Sequence, residues 1–325
     1  MQPDARGRAA TMAMVLSSLA LHARTAHANI RALIFLAMVS SWLPCASASS
    51  AALPIAPVNL VRYPASEVTN DERGSYYASL LKLVLAKSNS SIEAEPTEEA
   101  SGIKRAFARM AAGDGVDVMW APATRQLDRE FLRVPVPLDN GILGWRLFLV
   151  RQQDSERFRS VGSLEELKAR PAGQVAEWID TDILRFNGLP VVPSMRYQDL
   201  FNMLTAQRFS YLPRGIGEIQ DEAKDYAPQG IQIEPHLALY YPMCAYFYVA
   251  RRNTLLAAQL EDGLKLARKD GSLERLFRQA NGASIQAAGL SKRLVLELDN
   301  PFAPNGPGSG HEECAAAAGV VRSMR

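Results

Sequence analysis

The chain has 325 residues, 48% of them hydrophobic, and a formal net charge of +2 at pH 7. That length and composition allow a substantial core and predict two domains. Near-neutral charge, with both signs scattered outside short clusters such as residues 93–99, excludes a general nucleic-acid surface. Four histidines and three cysteines, all dispersed, exclude a structural zinc module.

Residues 1–48 read as a leader and signal peptide. Arg24 and Arg31 precede an apolar run that ends in Ala46-Ser47-Ala48, a small-x-small pattern, so cleavage is expected after Ala48. The run is shorter than the roughly 20 residues of a spanning helix, and the leader is long enough that Met12 or Met14 is an alternative start. The expected mature protein is exported to the periplasm. Cys244 and Cys314 then remain; Cys314 lies in a tail with little to fix its position, and the two are expected not to pair.

Strands and helices alternate after the leader. Residues 58–63 (VNLVRY) read as a strand. SYYASLLKLVLAK places Tyr77, Leu80, Leu81, Val84 and Leu85 on one helical face. IEAEP reads as an edge strand and residues 103–112 as a helix stopped by the Gly113–Gly115 turn. Residues 116–120 form a buried strand, so the order is βαβαβ with parallel strands and right-handed crossovers. An extended run begins at Gly141. Ser163 to Glu166 is a capping box, GQVAEW a strand, and Asp180 the N-cap of a helix that Gly188 stops. LPVVPS, YQDLFNMLTAQ and RFSYLP complete a second module over about residues 146–238. YPMCAYFYVARR reads as an aromatic-rich strand, TLLAAQLEDGLKLARKDG as an amphipathic helix ended by Gly271, and SLERLFRQANG as a short last helix. From Asn300 the Gly, Pro and small-residue bias predicts a disordered tail, 300–325.

Two stretches, AFARMAAGDGVDVMW and AYFYVARRNTLLAAQLEDGLKLARKDGSLERLF, together resemble the type 2 periplasmic solute-binding proteins, in particular the family 3 group that includes amino-acid receptors. The resemblance covers about residues 58–279. It implies an α/β fold of two lobes, each a mostly parallel sheet flanked by helices, joined by two crossing strands and closing on ligand by hinge bending. On that pattern the first lobe is 55–140 plus 244–298 and the second 146–238, with crossings near 140–145 and 239–243. The cleft should lie at the carboxyl ends of the strands, beside helix N-termini that favour an anion.

The resemblance also supplies site expectations. Arg125, with Arg129 as the alternative, is expected to grip a ligand carboxylate through its planar fork. Tyr63, Trp120 and Trp178 each close a strand where the cleft should be and are expected to form aromatic walls. Thr181 is expected to offer a hydroxyl to the ligand. Arg214 stands where amino-acid receptors carry an acid for the ligand's amino group; a second arginine there predicts a ligand with two anionic groups or one anion held from both lobes, against the simpler reading of an inter-lobe salt bridge to Glu218 or Asp180. His236, Trp145 and Arg146 are read as hinge or packing residues, and Tyr240, Tyr241, Tyr246, Phe247 and Tyr248 as hinge and core.

The function implied is capture of a small polar, carboxylate-bearing solute for an ABC-type transporter permease, with a membrane sensor as the alternative partner. A monomer without cofactor or metal is expected. An enzyme such as a dehydratase is the lesser alternative: the chain has no G-x-S-x-G or H-E-x-x-H motif and no histidine beside a cleft nucleophile.

Overall fold

A computed structural model describes residues 59–65, 72–88, 91–304 and 311–323. The expected signal peptide lies outside the described residues. In chain order the elements are β1 (Asn59–Ala65), α1 (Glu72–Lys87), β2 (Ile92–Ala100), α2 (Ile103–Ala112), β3 (Val118–Pro122), α3 (Arg125–Glu130), β4 (Leu132–Arg133) and β5 (Trp145–Arg151). Then come α4 (Leu164–Lys168), β6 (Ala172–Val175), α5 (Ile179–Phe186), β7 (Val191–Ser194), α6 (Tyr197–Thr205), β8 (Leu212–Gly215), α7 (Ile219–Tyr226), β9 (Ile231–Ile233) and β10 (Leu237–Tyr240). The chain closes with β11 (Ala245–Val249), α8 (Thr254–Lys269), α9 (Ser272–Ala288), β12 (Leu294–Glu297) and α10 (His311–Ser323).

Two lobes result. In the first, β1 and β2 pair in parallel, and β3 and β4 flank β11 antiparallel. All five residues of β11 are buried, which is why this strand reads as one continuous apolar run. The buried stripe of α1, Tyr76, Tyr77, Leu80, Leu81, Val84 and Leu85, faces the core. Helix α8 comes so close to α1 that a Cβ on Gly263 would lie 2.2 Å from the Val84 carbonyl oxygen; the glycine is what admits the helix there. In the second lobe β8 and β9 pair antiparallel with β5, and β6 pairs in parallel with β7.

The waist is made by β5 and β10, antiparallel, with Trp145 opposite Tyr240 and Arg146 opposite Leu239. The 3-10 turn Ile142–Gly144 leads into it, and a Cβ on Gly144 would lie 2.1 Å from the Tyr241 carbonyl oxygen. The two crossings are therefore in direct backbone contact.

The C-terminal part differs from expectation in three ways. Helix α9 runs on to Ala288 rather than ending near Gly282. After it, β12 leaves the first lobe and pairs in parallel with β10, placing Leu296 and Leu298 in the core that holds Phe148, Phe158 and Tyr211. Finally, residues 311–323 form α10 instead of a disordered tail, and Cys244 and Cys314 form a disulfide. Their Cα atoms are 5.8 Å apart, within the reach of a bridge. The low-complexity composition hid the cause: Cys314, Ala318 and Val321 are buried, giving an alanine-rich helix one packed face. Gly141, at positive φ (71°), is set closely against Cys314 and Ala318, so α10 backs the first crossing.

Candidate functional site

Two adjoining cavities mark the cleft. One is a groove of about 700 Å³ on the first lobe, bounded by the ends of β1 and β3, the start of α2 and the face of α1. Tyr63, Tyr77 and Trp120 form its aromatic wall. The Tyr77 ring stacks on Trp120 (centroids 5.7 Å apart, 24° between planes), and the Tyr63 ring packs against Trp120 at a tilt (5.6 Å, 45°). Ile103, Met119 and Pro122 complete an apolar lining that, among the described residues, includes no charged side chain. Such a volume and lining are those of a small-molecule site.

The second cavity, about 110 Å³, lies between the lobes and shares Tyr77 and Leu143 with the groove. The first lobe contributes Tyr76, Asp139 and Asn281; the second contributes Gly215, Ile216, Gly217 and Glu218; Arg146 enters from the waist. Asp139 is fully buried and accepts from the Tyr77 hydroxyl (3.0 Å) and from the backbone N–H groups of Ala245 (3.2 Å) and Gly141 (3.3 Å). Burial outweighs these donors and pushes its carboxyl up to about 7.

Arg146 is fully committed. Its Nε donates to Asp180 Oδ1 at 2.7 Å and its Nη1 to the carbonyls of Leu143 (2.5 Å) and Trp145 (3.0 Å), while the guanidinium lies 5.1 Å over the Tyr241 ring. The Tyr241 hydroxyl also donates to Asp180. Burial works against the Arg146 charge, but Asp180, Tyr241 and Glu218 together hold it above the usual arginine range. Burial would likewise raise Asp180; Arg146 and the Tyr241 hydroxyl keep it below the usual carboxylate range. Asp180 is thus a waist residue rather than the N-cap: α5 starts at Ile179, with Trp178 in the cap position and no side-chain cap bond.

Arg214 is committed in the same way. Its Nε donates to both oxygens of Glu222 (2.9 and 2.8 Å), and Nη2 reaches Glu222 Oε1 at 2.6 Å and Glu218 Oε1 at 3.0 Å. The guanidinium sits 4.7 Å over Trp178 and 5.1 Å over Tyr197, whose hydroxyl donates to Glu222 Oε1 at 2.6 Å. The cause is local sequence: Arg214 lies near the end of β8, and the turn into α7 returns Glu218, at the helix N-cap, and Glu222, in its first turn, four and eight residues later. The arginine expected to attract an anion is enclosed by two carboxylates and two rings. The Glu218 pairing is within the second lobe, not between lobes.

Three other expectations need correction or relocation. Arg125 is exposed on α3 and lines neither cavity; its Nη2 donates to the carbonyl of Pro301 and its backbone N–H to the carbonyl of Phe302 (3.2 Å), so one edge of its guanidinium is turned to the segment 300–304. Arg129 is exposed on the same helix and lines neither cavity. Thr181 is fully buried and donates to the Val175 carbonyl at 2.7 Å, so its hydroxyl is spent inside the second lobe. Trp178 is half-buried beneath Arg214 and lines neither cavity. His236 is half-buried between β9 and β10. Sequence reasoning passed over Tyr77, Asp139, Leu143 and Glu218 as site residues. Tyr77 read as core from its helical spacing; Asp139 and Leu143 had no motif; only the Arg-x₃-Glu-x₃-Glu spacing of residues 214–222 was open to detection.

Two lobes, a two-strand waist and a cavity between them define the type II periplasmic-binding-protein fold. Solved structures share it. The YckB protein of Bacillus subtilis aligns over 74% of this chain and 96% of its own with 18% identity and a TM-score of 0.50. The probable amino-acid ABC transporter extracellular-binding protein YtmK of Bacillus subtilis aligns over 69% of this chain and 97% of its own, with 16% identity and the same TM-score, 0.50. No protein-family model and no curated protein matches the chain.

Proposed function

We propose that this protein is an exported solute-binding protein that captures a small polar molecule between its lobes and presents it to a membrane partner, either the permease of an ABC-type transporter or a sensor. The observation that carries the reading is the position of the cavities: an aromatic groove on the first lobe runs into an inter-lobe chamber walled by Glu218 and Arg146, directly above the waist. A solute seated there touches both lobes. It favours the closed arrangement by the difference in its affinity for the closed and open states, which is all that hinge closure requires. Export through the leader at residues 1–48 places the protein in the periplasm, where it acts as a monomer. No helix among the described residues is long and apolar enough to cross a membrane.

A thermal-denaturation screen against amino acids, amines, dicarboxylates and sugars tests this. A ligand with Kd near 1 μM stabilises by about 2.7 kcal/mol at a hundredfold excess over Kd. Such a shift, lost on replacing Trp120 with alanine, supports the reading. A library that yields no stabilising solute counts against it.

A further inference from the structure

We propose that the C-terminal segment is an inter-lobe brace: beyond the two crossings of the waist it joins the lobes twice more, and it limits how far the hinge opens when no solute is bound. The first added link lies between Ala288 and Leu294. Helix α9 belongs to the first lobe, where Phe277 packs edge-on against Tyr76 of α1, whereas β12 extends the second-lobe sheet beside β10. Arg293, half-buried between them, donates from Nε to the carbonyl of Ala288 (2.7 Å) and from Nη1 to the carbonyls of Leu237 (3.0 Å) and Glu234. One guanidinium thus holds the last turn of a first-lobe helix against the β9–β10 turn.

The second added link is short and runs back the other way. Asn187, just past the end of α5 in the second lobe, exchanges two hydrogen bonds with Asp299: its Nδ2 donates to the Asp299 carbonyl (2.8 Å) and its Oδ1 accepts from the Asp299 N–H (2.9 Å). Two and three residues further on, the carbonyls of Pro301 and Phe302 accept from the Nη2 and the backbone N–H of Arg125, at the start of α3 in the first lobe.

Between these ends the chain has little slack. Asn300 Oδ1 accepts from the Phe302 N–H (3.0 Å), the Asn300 carbonyl accepts from the Ala303 N–H (3.2 Å), and the ring of Pro301 fixes its own φ. Asn300 Nδ2 donates to the Pro242 carbonyl in the second crossing (2.9 Å), so the turn is held at the waist as well as in both lobes. Three residues reach at most about 11 Å. A hinge rotation that carries Asn187 away from Arg125 must therefore break one end of the tie. Beyond the turn, α10 is bonded to the second crossing through Cys314 and Cys244. The segment 294–304 lines neither cavity, so it acts on the separation of the lobes and not on contacts with a solute.

Pulsed electron-spin distances between labels at Lys104 on α2 and Asp221 on α7, both exposed, test the brace in protein without solute. Asn187→Ala combined with Arg125→Ala removes the side-chain bonds at both ends of the tie, at one half-buried and one exposed position. The double variant should show a longer mean inter-lobe distance and a broader distribution than wild type, with a melting temperature lowered by only a few degrees. Arg129→Ala, on the same helix but outside the tie, should match wild type. A purely stabilising contact would change the melting temperature and leave the distances of the folded population alone. Should the double variant fail to fold, Arg125→Ala decides by the same criterion. Distributions that coincide in wild type and variant overturn the proposal. Solute does not enter the measurement, so that result would leave the binding function standing, whereas a melting screen with no hit would count against that function and leave the brace.

Discussion

Arg214 and Glu222 form a buried two-toothed pair, with Nε 2.9 and 2.8 Å from the two carboxylate oxygens and Nη2 2.6 Å from one of them. Both residues are less than a tenth exposed. The pair sets the charge of the second-lobe wall and also decides how that lobe tolerates change. Removing one partner strands the other in a site it shares with Trp178 and Tyr197. Glu222→Ala should therefore lower the free energy of unfolding by roughly 3–5 kcal/mol, read from urea midpoints. A loss below about 1 kcal/mol would show that Glu218 alone satisfies the guanidinium.

The Cys244–Cys314 bridge closes a loop 70 residues long and pins α10 beside the waist. On the chain-entropy account a loop of that length contributes roughly 4 kcal/mol. Replacing both cysteines by serine, or adding reductant, should lower the melting temperature and accelerate amide exchange in α10 and at residues 141–144 before the rest of the chain. Exchange that quickens equally everywhere would mean that α10 does not support the waist.

Asp139 links stability to pH. Its carboxyl is raised from 3.8 to about 7 by burial, so between those values the folded protein holds a proton that the unfolded chain has released. The fold is then favoured at low pH, and this contribution is lost as pH rises from about 4 through 7, by an amount on the order of a few kcal/mol. Chemical denaturation across that range should show the decline, and Asp139→Asn should flatten it. An unchanged slope in the variant would assign the effect elsewhere.

Gly144 tests the waist itself. A methyl group there would enter the Tyr241 carbonyl at 2.1 Å, so β5 and the second crossing would have to separate. Gly144→Ala should cost about 1–3 kcal/mol, as overpacked sites do. Gly282→Ala, where a Cβ would meet nothing within 4 Å, should be neutral or slightly stabilising in its helix.

Much of this fold was legible in the sequence, because it rests on periodicity. The buried stripe of α1, the continuous apolar β11 and the glycine that ends α2 at Gly113 (φ 77°) are local patterns with local causes. The end of the chain was not legible. Helix α10 becomes amphipathic only once Cys314, Ala318 and Val321 have a surface to meet, and β12 is a four-residue strand whose partner lies more than fifty residues earlier. The site divides in the same way. Tyr63 and Trp120, expected from the strands that carry them, lie within β1 and β3 and line the groove. The fates of Arg125 and Arg214 depended on which neighbours would claim their guanidinium groups, and composition cannot tell a cation facing a cleft from one already paired.

The central claim is that solute binds between the lobes and draws them together. Pulsed electron-spin measurements of the distance between labels at Lys104 on α2 and Asp221 on α7, both exposed, test it most directly when recorded with and without the strongest solute of the melting screen. The account predicts that solute shifts and narrows the inter-lobe distance distribution and that Trp120→Ala abolishes the shift. A distribution indifferent to a solute that demonstrably stabilises the protein would contradict it.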